Sequence, residues 1–401
     1  MKRGPWHQLG NQGQTIAREH LQNGIGVGVV ISEKDLPFNS AKEYSTTFKE
    51  LNADVLVDHQ FYNSSFRHKN FDTYPEKEFR VTLSNMANLS RIGLSGLSKA
   101  LEENLRQLSV TGVIAPAMKY QAGRNEIVDV NAKLFSAAKA VGDSMGLPTF
   151  VTVTVDRSSL DSFSAVERIL SDVTSLSGDG WYFSIEFGER RIPASSEKVK
   201  MLCRAGLKLA MTGKPVMHAF AGPMSLLSYG FGATAAAIGH SHNLWQFSNE
   251  RWQILSAPRK GPKKPLRRLF SSNLWGTLVY PNEIVRMNAK LRAEALTSTE
   301  YSPSLENLDA VWKKGQADRH LVASICREIE TISRLGGVSE AAKYAINKLA
   351  HAESLYGRIK NTVGTLRDSS NAYHSNWKEA LENLLIEGKD DLDYLEMIAS
   401  D

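Results

Sequence analysis

Residues 148–157 read Pro148-TFVTVTVD-Arg157, a run of β-branched and aromatic residues that ends in an acid. A short, continuously apolar run of this kind reads as a strand buried on both faces. A helical pattern follows over Ala165 to Leu176, and then a second run, Trp181-YFSIEFG-Glu189. Strand, helix and strand in this order predict parallel pairing through a crossover helix.

The same unit recurs on both sides. Upstream lie Ile25-GVGVVIS-Glu33, Ala53-DVLVDHQFY-Asn63 and Val110-TGVIAPAM-Lys119. Downstream lie Pro215-VMHAFAG-Pro223, Ala233-TAAAIGHS-His242 and a weaker eighth run, Leu274-WGTLVYP-Asn282. Helical patterns separate them over Ser40 to Leu51, Leu83 to Leu108, Glu126 to Met145 and Ser196 to Met211. Gly146 and Gly213 stand just past two of these helices, where left-handed caps favour glycine. Repeats of this number predict an α/β fold, a (β/α)8 barrel. The structural rival is an open doubly wound sheet. Its phosphate-binding turn needs glycines between strand and helix, but Gly24, Gly26 and Gly28 fall inside the first run.

After residue 283 the strands stop. Asn282 to Leu296, Leu305 to Leu335, Ser339 to Lys360 and Asn371 to Gly388 read as helices, with Ser339 as an N-cap. The division expected is a barrel over 1–296 and a C-terminal helical region over 297–401. That region braces the barrel or docks a protein partner or a second copy; a barrel closes without it, which favours assembly.

Composition narrows the setting. The chain has 401 residues, 42% of them hydrophobic, so it buries a large core. Cys203 and Cys326 are too far apart in sequence for a CxxC metal site, and two cysteines make no disulfide framework. This fits a cytoplasmic protein. The N-terminus has no signal-peptide core, and no apolar run reaches the roughly 20 residues that span a bilayer.

The net charge of +5 has one source. Residues 258–268 read PRKGPKKPLRR, with Arg259, Lys260, Lys263, Lys264, Arg267 and Arg268 and no acid. Without these six the net charge falls to −1. Pro258, Pro262, Pro265 and Gly261 forbid a helix there, so the run is a cationic loop. It is the expected contact for nucleic acid. Trp245, Phe247, Trp252, Phe270 and Trp275 flank it, as stacking platforms or as packing.

In a barrel the chemistry sits at the C-terminal strand ends. Those ends carry Ser32 and Glu33; Asp58, His59, Gln60 and Tyr62; Lys119 and Tyr120; Asp156 and Arg157; Glu186 and Glu189; His218; Gly239, His240 and His242; Tyr280 and Asn282. Asp58, Glu186, His218, His240 and Lys119 are the catalytic candidates. His59, Gln60, Tyr62, Asp156, Gly222, Gly239 and His242 are the substrate or phosphate contacts. Desolvation inside an apolar run shifts the titration of Asp58, Glu186 and His218. The bland alternatives are a core histidine at 218 and an ion pair of Glu186 with Lys119 or Arg190. His240 and His242 share a face if the strand continues through them. They are then metal ligands, proton-transfer and anion-binding groups, or neighbours of a helix cap. Proton transfer with anion binding is preferred, and no metal or cofactor is assigned. Gly222, Gly230, Gly232 and Gly239 cradle a phosphate or mark tight turns.

The strand–helix repeat and the basic character resemble the tRNA-guanine transglycosylase type of barrel. That resemblance implies base exchange on a nucleic acid through a carboxylate nucleophile. The family's clustered-cysteine zinc site has no counterpart, so no catalytic residue is carried over. The first reading is therefore a transferase or hydrolase acting on nucleic acid or a nucleotide-like substrate. The alternatives are a lyase, isomerase or aldolase on a small phosphorylated metabolite, with Lys119 as base or imine-forming lysine, and a non-catalytic barrel within an assembly.

Overall fold

The computed structural model of the protein describes residues 1–62, 68–80, 91–188, 192–252, 267–303, 312–364 and 373–400. Eight parallel strands form one sheet: β1 (Gly4–Gln8), β2 (Gly28–Ser32), β3 (Asp54–Asp58), β4 (Val113–Ile114), β5 (Thr149–Val155), β6 (Gly180–Ile185), β7 (Val216–His218) and β8 (Ala235–Ile238). Their order is β3-β2-β1-β8-β7-β6-β5-β4. The ends β3 and β4 meet at Thr111, whose N–H donates to the Val55 carbonyl at 2.9 Å and whose hydroxyl accepts from the Val55 N–H at 3.0 Å. The sheet is thereby a nearly closed α/β barrel.

Alternation along each strand sorts the core into two layers. Trp6, Val30, Leu56, Ile114, Phe150, Tyr182, Met217 and Ala237 fill the interior. Val29, Val55, Val57, Val151, Val153, Phe183 and Ile238 face the surrounding helices. Those helices are α1 (Gly13–Gln22), α2 (Phe38–Glu50), α3 (Arg91–Gln107), α4 (Asn125–Met145), α5 (Phe163–Thr174), α6 (Ser196–Ala210) and the short α7 (Ser225–Ser228).

Two expectations are corrected. The eighth barrel strand is the N-terminal Gly4–Gln8 rather than the run 274–282. That run forms β10 (Gly276–Tyr280), which pairs antiparallel with β9 (Arg267–Ser271) outside the barrel. Every strand named from sequence is therefore one place further round, and the run 258–268 follows β8 instead of separating strands seven and eight. The helix expected over 282–296 shrinks to α8 (Ala289–Ala295), capped by the Asn288 side chain.

The C-terminal helices are α9 (Lys314–Ser333), α10 (Val338–Val363), α11 (Tyr373–Glu387) and α12 (Lys389–Ser400). Gly336 and Gly337 separate α9 from α10, but the N-cap is Gly337, not Ser339. These helices lie against the barrel: α9 packs on β1, β8 and α1, and α11 packs on α6. Leu321, Val322, Ile325 and Ile329 of α9 share one apolar core with the strands. Beside the short α7, α9 covers the wall at β1 and β8, and α10 packs on α7 and on the 3-10 turn Tyr229–Phe231. The C-terminal helices thus pack directly on the barrel. No helix among the described residues is long and apolar enough to cross a membrane.

Closure through β1 makes Gly28 a test point. A Cβ there would lie 2.7 Å from the Trp6 ring and 2.8 Å from the Asp54 carbonyl. The carbonyl belongs to a paired strand and cannot yield. Gly28→Ala is expected to destabilise the fold by about 1–3 kcal/mol, read as a lower urea midpoint with an unchanged slope. An unchanged midpoint would show that β1 is not packed against β2 in this way.

Candidate active site

The inward-facing strand ends bring two polar groups of side chains into the barrel mouth. The first is built on Asp58 at the end of β3. Its Oδ1 accepts the Tyr62 hydroxyl at 2.9 Å and the Gln60 N–H at 3.1 Å, and its Oδ2 accepts the Tyr182 hydroxyl at 3.2 Å. Gln60 adopts a left-handed backbone, φ 56°, which turns the chain sharply back over Asp58. The Tyr182 hydroxyl also lies 3.2 Å from Gln8 Oε1, while Gln8 Nε2 is buried with no partner among the described residues. Burial pushes the Asp58 carboxyl above its ordinary value, against the hydrogen bonds from Tyr62 and Gln60. Tyr62 and Tyr182 are pushed well above theirs, by burial and by the Asp58 charge.

The second group centres on Lys119, which lies just past β4. Its ammonium donates to Asp156 Oδ2, and to Glu186 Oε2 at 2.5 Å. Both carboxylates have further donors. Ser158 gives its N–H and hydroxyl to Asp156 Oδ1 at 2.9 and 2.7 Å. Asn249 gives its N–H to Glu186 Oε1 and its amide to Oε2, each at 3.0 Å. The Asp156 carboxyl titrates below its ordinary value: burial alone would raise it, and Lys119 with Ser158 outweighs burial. The ion pair of Glu186 with Lys119 is present, and it lies inside the barrel with both side chains nearly solvent-free.

Residues 242–252 lie across both groups. Phe247 meets the Tyr62 ring edge-on at 4.8 Å and Phe220 at 5.6 Å. Asn249 reaches Glu186, and the Arg251 guanidinium reaches Asp35 beside Ser32. Ser32 accepts the Gln60 amide at 2.7 Å and donates to Asp35 at 2.6 Å. The missing side chains of Gly222 and Gly239 make room for this segment. A Cβ on Gly239 would lie 2.1 Å from that of Leu244, and one on Gly222 would lie 2.7 Å from Trp245 Cα. Packing therefore accounts for both glycines.

The histidines do not join these groups. His218 faces the helix layer, where Nδ1 lies 2.7 Å from the Ser228 hydroxyl between the Phe183 and Phe231 rings. Burial lowers its titration to about 3. It is the core histidine that the sequence left as the alternative. His240 is half-buried beside Gly13 at the start of α1. The strand ends at Ile238, and His242 opens a short 3-10 turn, so the shared strand face expected for the pair is not formed. His59 also points outward, away from Asp58, onto Glu33 and Glu76.

Arg259, Lys260, Lys263 and Lys264 lie outside the described residues, as do Glu189 and Arg190. Arg267 and Arg268 open β9 and are half-buried. The sequence reading missed Gln8, Tyr182, Asn249 and Arg251. Tyr182 was recoverable, because Tyr182, Ser184 and Glu186 alternate on one strand face.

No family of known proteins matches the sequence, and no curated protein matches it. Among solved structures, the chain is similar to a glycerol uptake operon antiterminator-related protein from Thermotoga maritima. The identity is 15%, the TM-score 0.31, and the overlap covers 61% of this chain and 99% of the other. So slight a likeness transfers nothing about activity.

Proposed function

We propose that this barrel is an enzyme that moves protons on a small phosphorylated metabolite held in its mouth, as lyases, isomerases and aldolases do. The observation that carries the reading is the burial of Asp58 among Tyr62, Tyr182 and Gln8, with the Gln8 amide nitrogen left over. A barrel interior can close with apolar side chains alone, and a perturbed carboxylate there marks a candidate functional site. In this reading Asp58 is the acid–base group, Glu186 a second proton carrier, and Lys119 stabilises negative charge on the substrate. An imine at Lys119 is not required. Residues 242–252 open to admit the substrate and return Asn249 and Arg251 on closure.

The metabolite is preferred to nucleic acid because Arg267 and Arg268, the described cations of the run 258–268, are half-buried in β9, outside the barrel sheet. The test is a thermal-shift screen of small phosphorylated compounds on the wild type and on Asp58→Asn. A ligand that raises the wild-type Tm and is turned over by the wild type alone supports the reading. Salt-sensitive binding of RNA or DNA, with no metabolite response, returns the assignment to nucleic acid.

Asp58→Asn also has an outcome independent of any substrate. A carboxyl whose folded titration point is raised is favoured in its neutral form, so its ionisation at pH 7 opposes folding. The amide removes that penalty. The variant's Tm is expected to exceed the wild type by about 1–3 °C at pH 7, and to converge with it near pH 4. A lower Tm at pH 7 would make Asp58 a structural group.

A further inference from the structure

Behind the barrel wall, Glu33, His59, Glu76 and Asn104 converge with side chains sealed from solvent. Glu33 and His59 follow β2 and β3 directly. Glu76 lies in the 3-10 turn Pro75–Phe79, and Asn104 lies on α3. His59 Nδ1 is 2.6 Å from Glu33 Oε1 and 2.8 Å from Glu76 Oε1. The Asn104 amide nitrogen is 2.7 Å from Glu76 Oε1 and 3.4 Å from Glu33 Oε1. One nitrogen proton thus faces two carboxylates.

Three buried atoms of these same groups have no partner among the described residues: His59 Nε2, Glu76 Oε2 and Asn104 Oδ1. A purely structural network in a dry interior satisfies its members. This one leaves a carboxylate oxygen and an amide oxygen over, each on a group already touching the cluster. Rotating the Asn104 amide by half a turn exchanges its oxygen and nitrogen. The oxygen then faces two carboxylate oxygens, an arrangement that a cation between them favours.

We propose that Glu33, His59, Glu76 and Asn104 bind one divalent transition-metal ion of the zinc or manganese class. One imidazole nitrogen with carboxylate and amide oxygens is a donor set that suits such ions. The ligand atoms of Glu33, His59 and Glu76 lie within 4.8 Å of one another. The ion replaces the proton shared at His59 Nδ1, and the donors spread to the separation of about 3 Å that bonds of about 2.0–2.2 Å require. Arg80 donates to Glu33 Oε2 at 2.5 Å and orients that carboxylate from outside. The ion ties two strand ends, the 3-10 turn and α3 together. Ser32 and Asp58 stand on the other face of the same wall, so the site is structural and independent of the proton-transfer reading.

The test uses the full chain, stripped with chelator and titrated with Zn2+ or Mn2+ by calorimetry. One equivalent is expected to bind, with affinity about 100-fold weaker in His59→Gln and Glu76→Gln, whose folding is checked by circular dichroism. Because those variants disturb a buried cluster, pulsed EPR of the Mn2+-loaded wild type supplies a reading without mutation, with coupling to a single imidazole nitrogen expected. Absence of a stoichiometric site, absence of that coupling, or unchanged affinity in folded variants overturns the proposal.

Discussion

Between pH 6.5 and 4.5 the protein is expected to lose a large part of its folding free energy. Among the described residues, five histidines sealed from solvent are held neutral by burial. The titration of His7, His320 and His374 falls to about 4, that of His218 to about 3 and that of His20 to about 2. Each takes a proton near pH 6.5 when the chain unfolds, but resists it when folded. Below pH 6.5 the unfolded chain therefore binds up to about five more protons at these sites. Asp58 and Glu33 oppose this, because burial raises both carboxyls and, for Glu33, the neighbouring Glu76 adds to the shift. They hold protons in the folded state that the unfolded chain releases above pH 4, and so offset part of the difference.

A net of about three protons is worth roughly 4 kcal/mol per pH unit; because the unfolded histidines are only half protonated at pH 6.5, the window down to pH 4.5 amounts to about 6 kcal/mol. Total stability is of order 5–15 kcal/mol, so the loss is comparable to the whole. His59 does not soften it, since its carboxylate neighbours raise its titration to about 10 against the effect of burial, and its contribution is already complete below pH 6.5. Urea midpoints from pH 7.5 to 4.5 measure the slope, and His218→Gln should remove about one proton from it. A flat midpoint down to pH 5 would mean that these histidines are hydrated or charged in the folded state.

Seven of the eight barrel strands were legible because each is a continuous apolar run, which a strand buried on both faces requires. The eighth was not. Gly4–Gln8 reads GPWHQ, with a glycine, a proline and two polar side chains. It is nonetheless fully buried, because Trp6 fills the barrel interior while His7 packs outward on His20. The run 274–282 has the better strand composition and does form a strand, but its partner is β9. Composition reports that a segment is extended and buried; it does not report which sheet receives it.

The mouth was legible in part for the same reason. Asp58, Asp156 and Glu186 share the inward face with the residues two before them, so alternation within a run places them. His59 and His218 sit one position out of phase and face the helices. Ranking His218 with Asp58 and Glu186 from sequence, on the apolar run alone, passes over this distinction. Asn249 and Arg251 gave no signal, because they belong to a segment whose course over the mouth depends on Phe247 finding Tyr62 and Phe220.

Replacing Lys119 by methionine separates an engineered charge cluster from an incidental one. The substitution keeps the length and volume of the side chain and removes its cation. Asp156 and Glu186 then stand together inside the barrel with no positive partner. An exposed ion pair is worth about 0–1 kcal/mol, whereas breaking a buried one costs about 3–5 kcal/mol because the abandoned charge stays desolvated. Ser158 and Asn249 still donate to the two carboxylates, so a loss of about 3 kcal/mol is expected at pH 7. The loss should shrink toward pH 5 as the unpaired carboxylates take up protons, and adding Glu186→Gln to the variant should recover most of it. Chemical denaturation of the wild type, both single variants and the double variant gives the coupling between the two sites. A coupling below about 0.5 kcal/mol would mean that water reaches Lys119 and that the cluster is an ordinary solvated pair. A coupling of 2–3 kcal/mol, with a double variant at least as stable as the wild type, would mean that the barrel holds these charged groups at a net expense to its own stability, which a mouth selected only for packing would have replaced with apolar side chains.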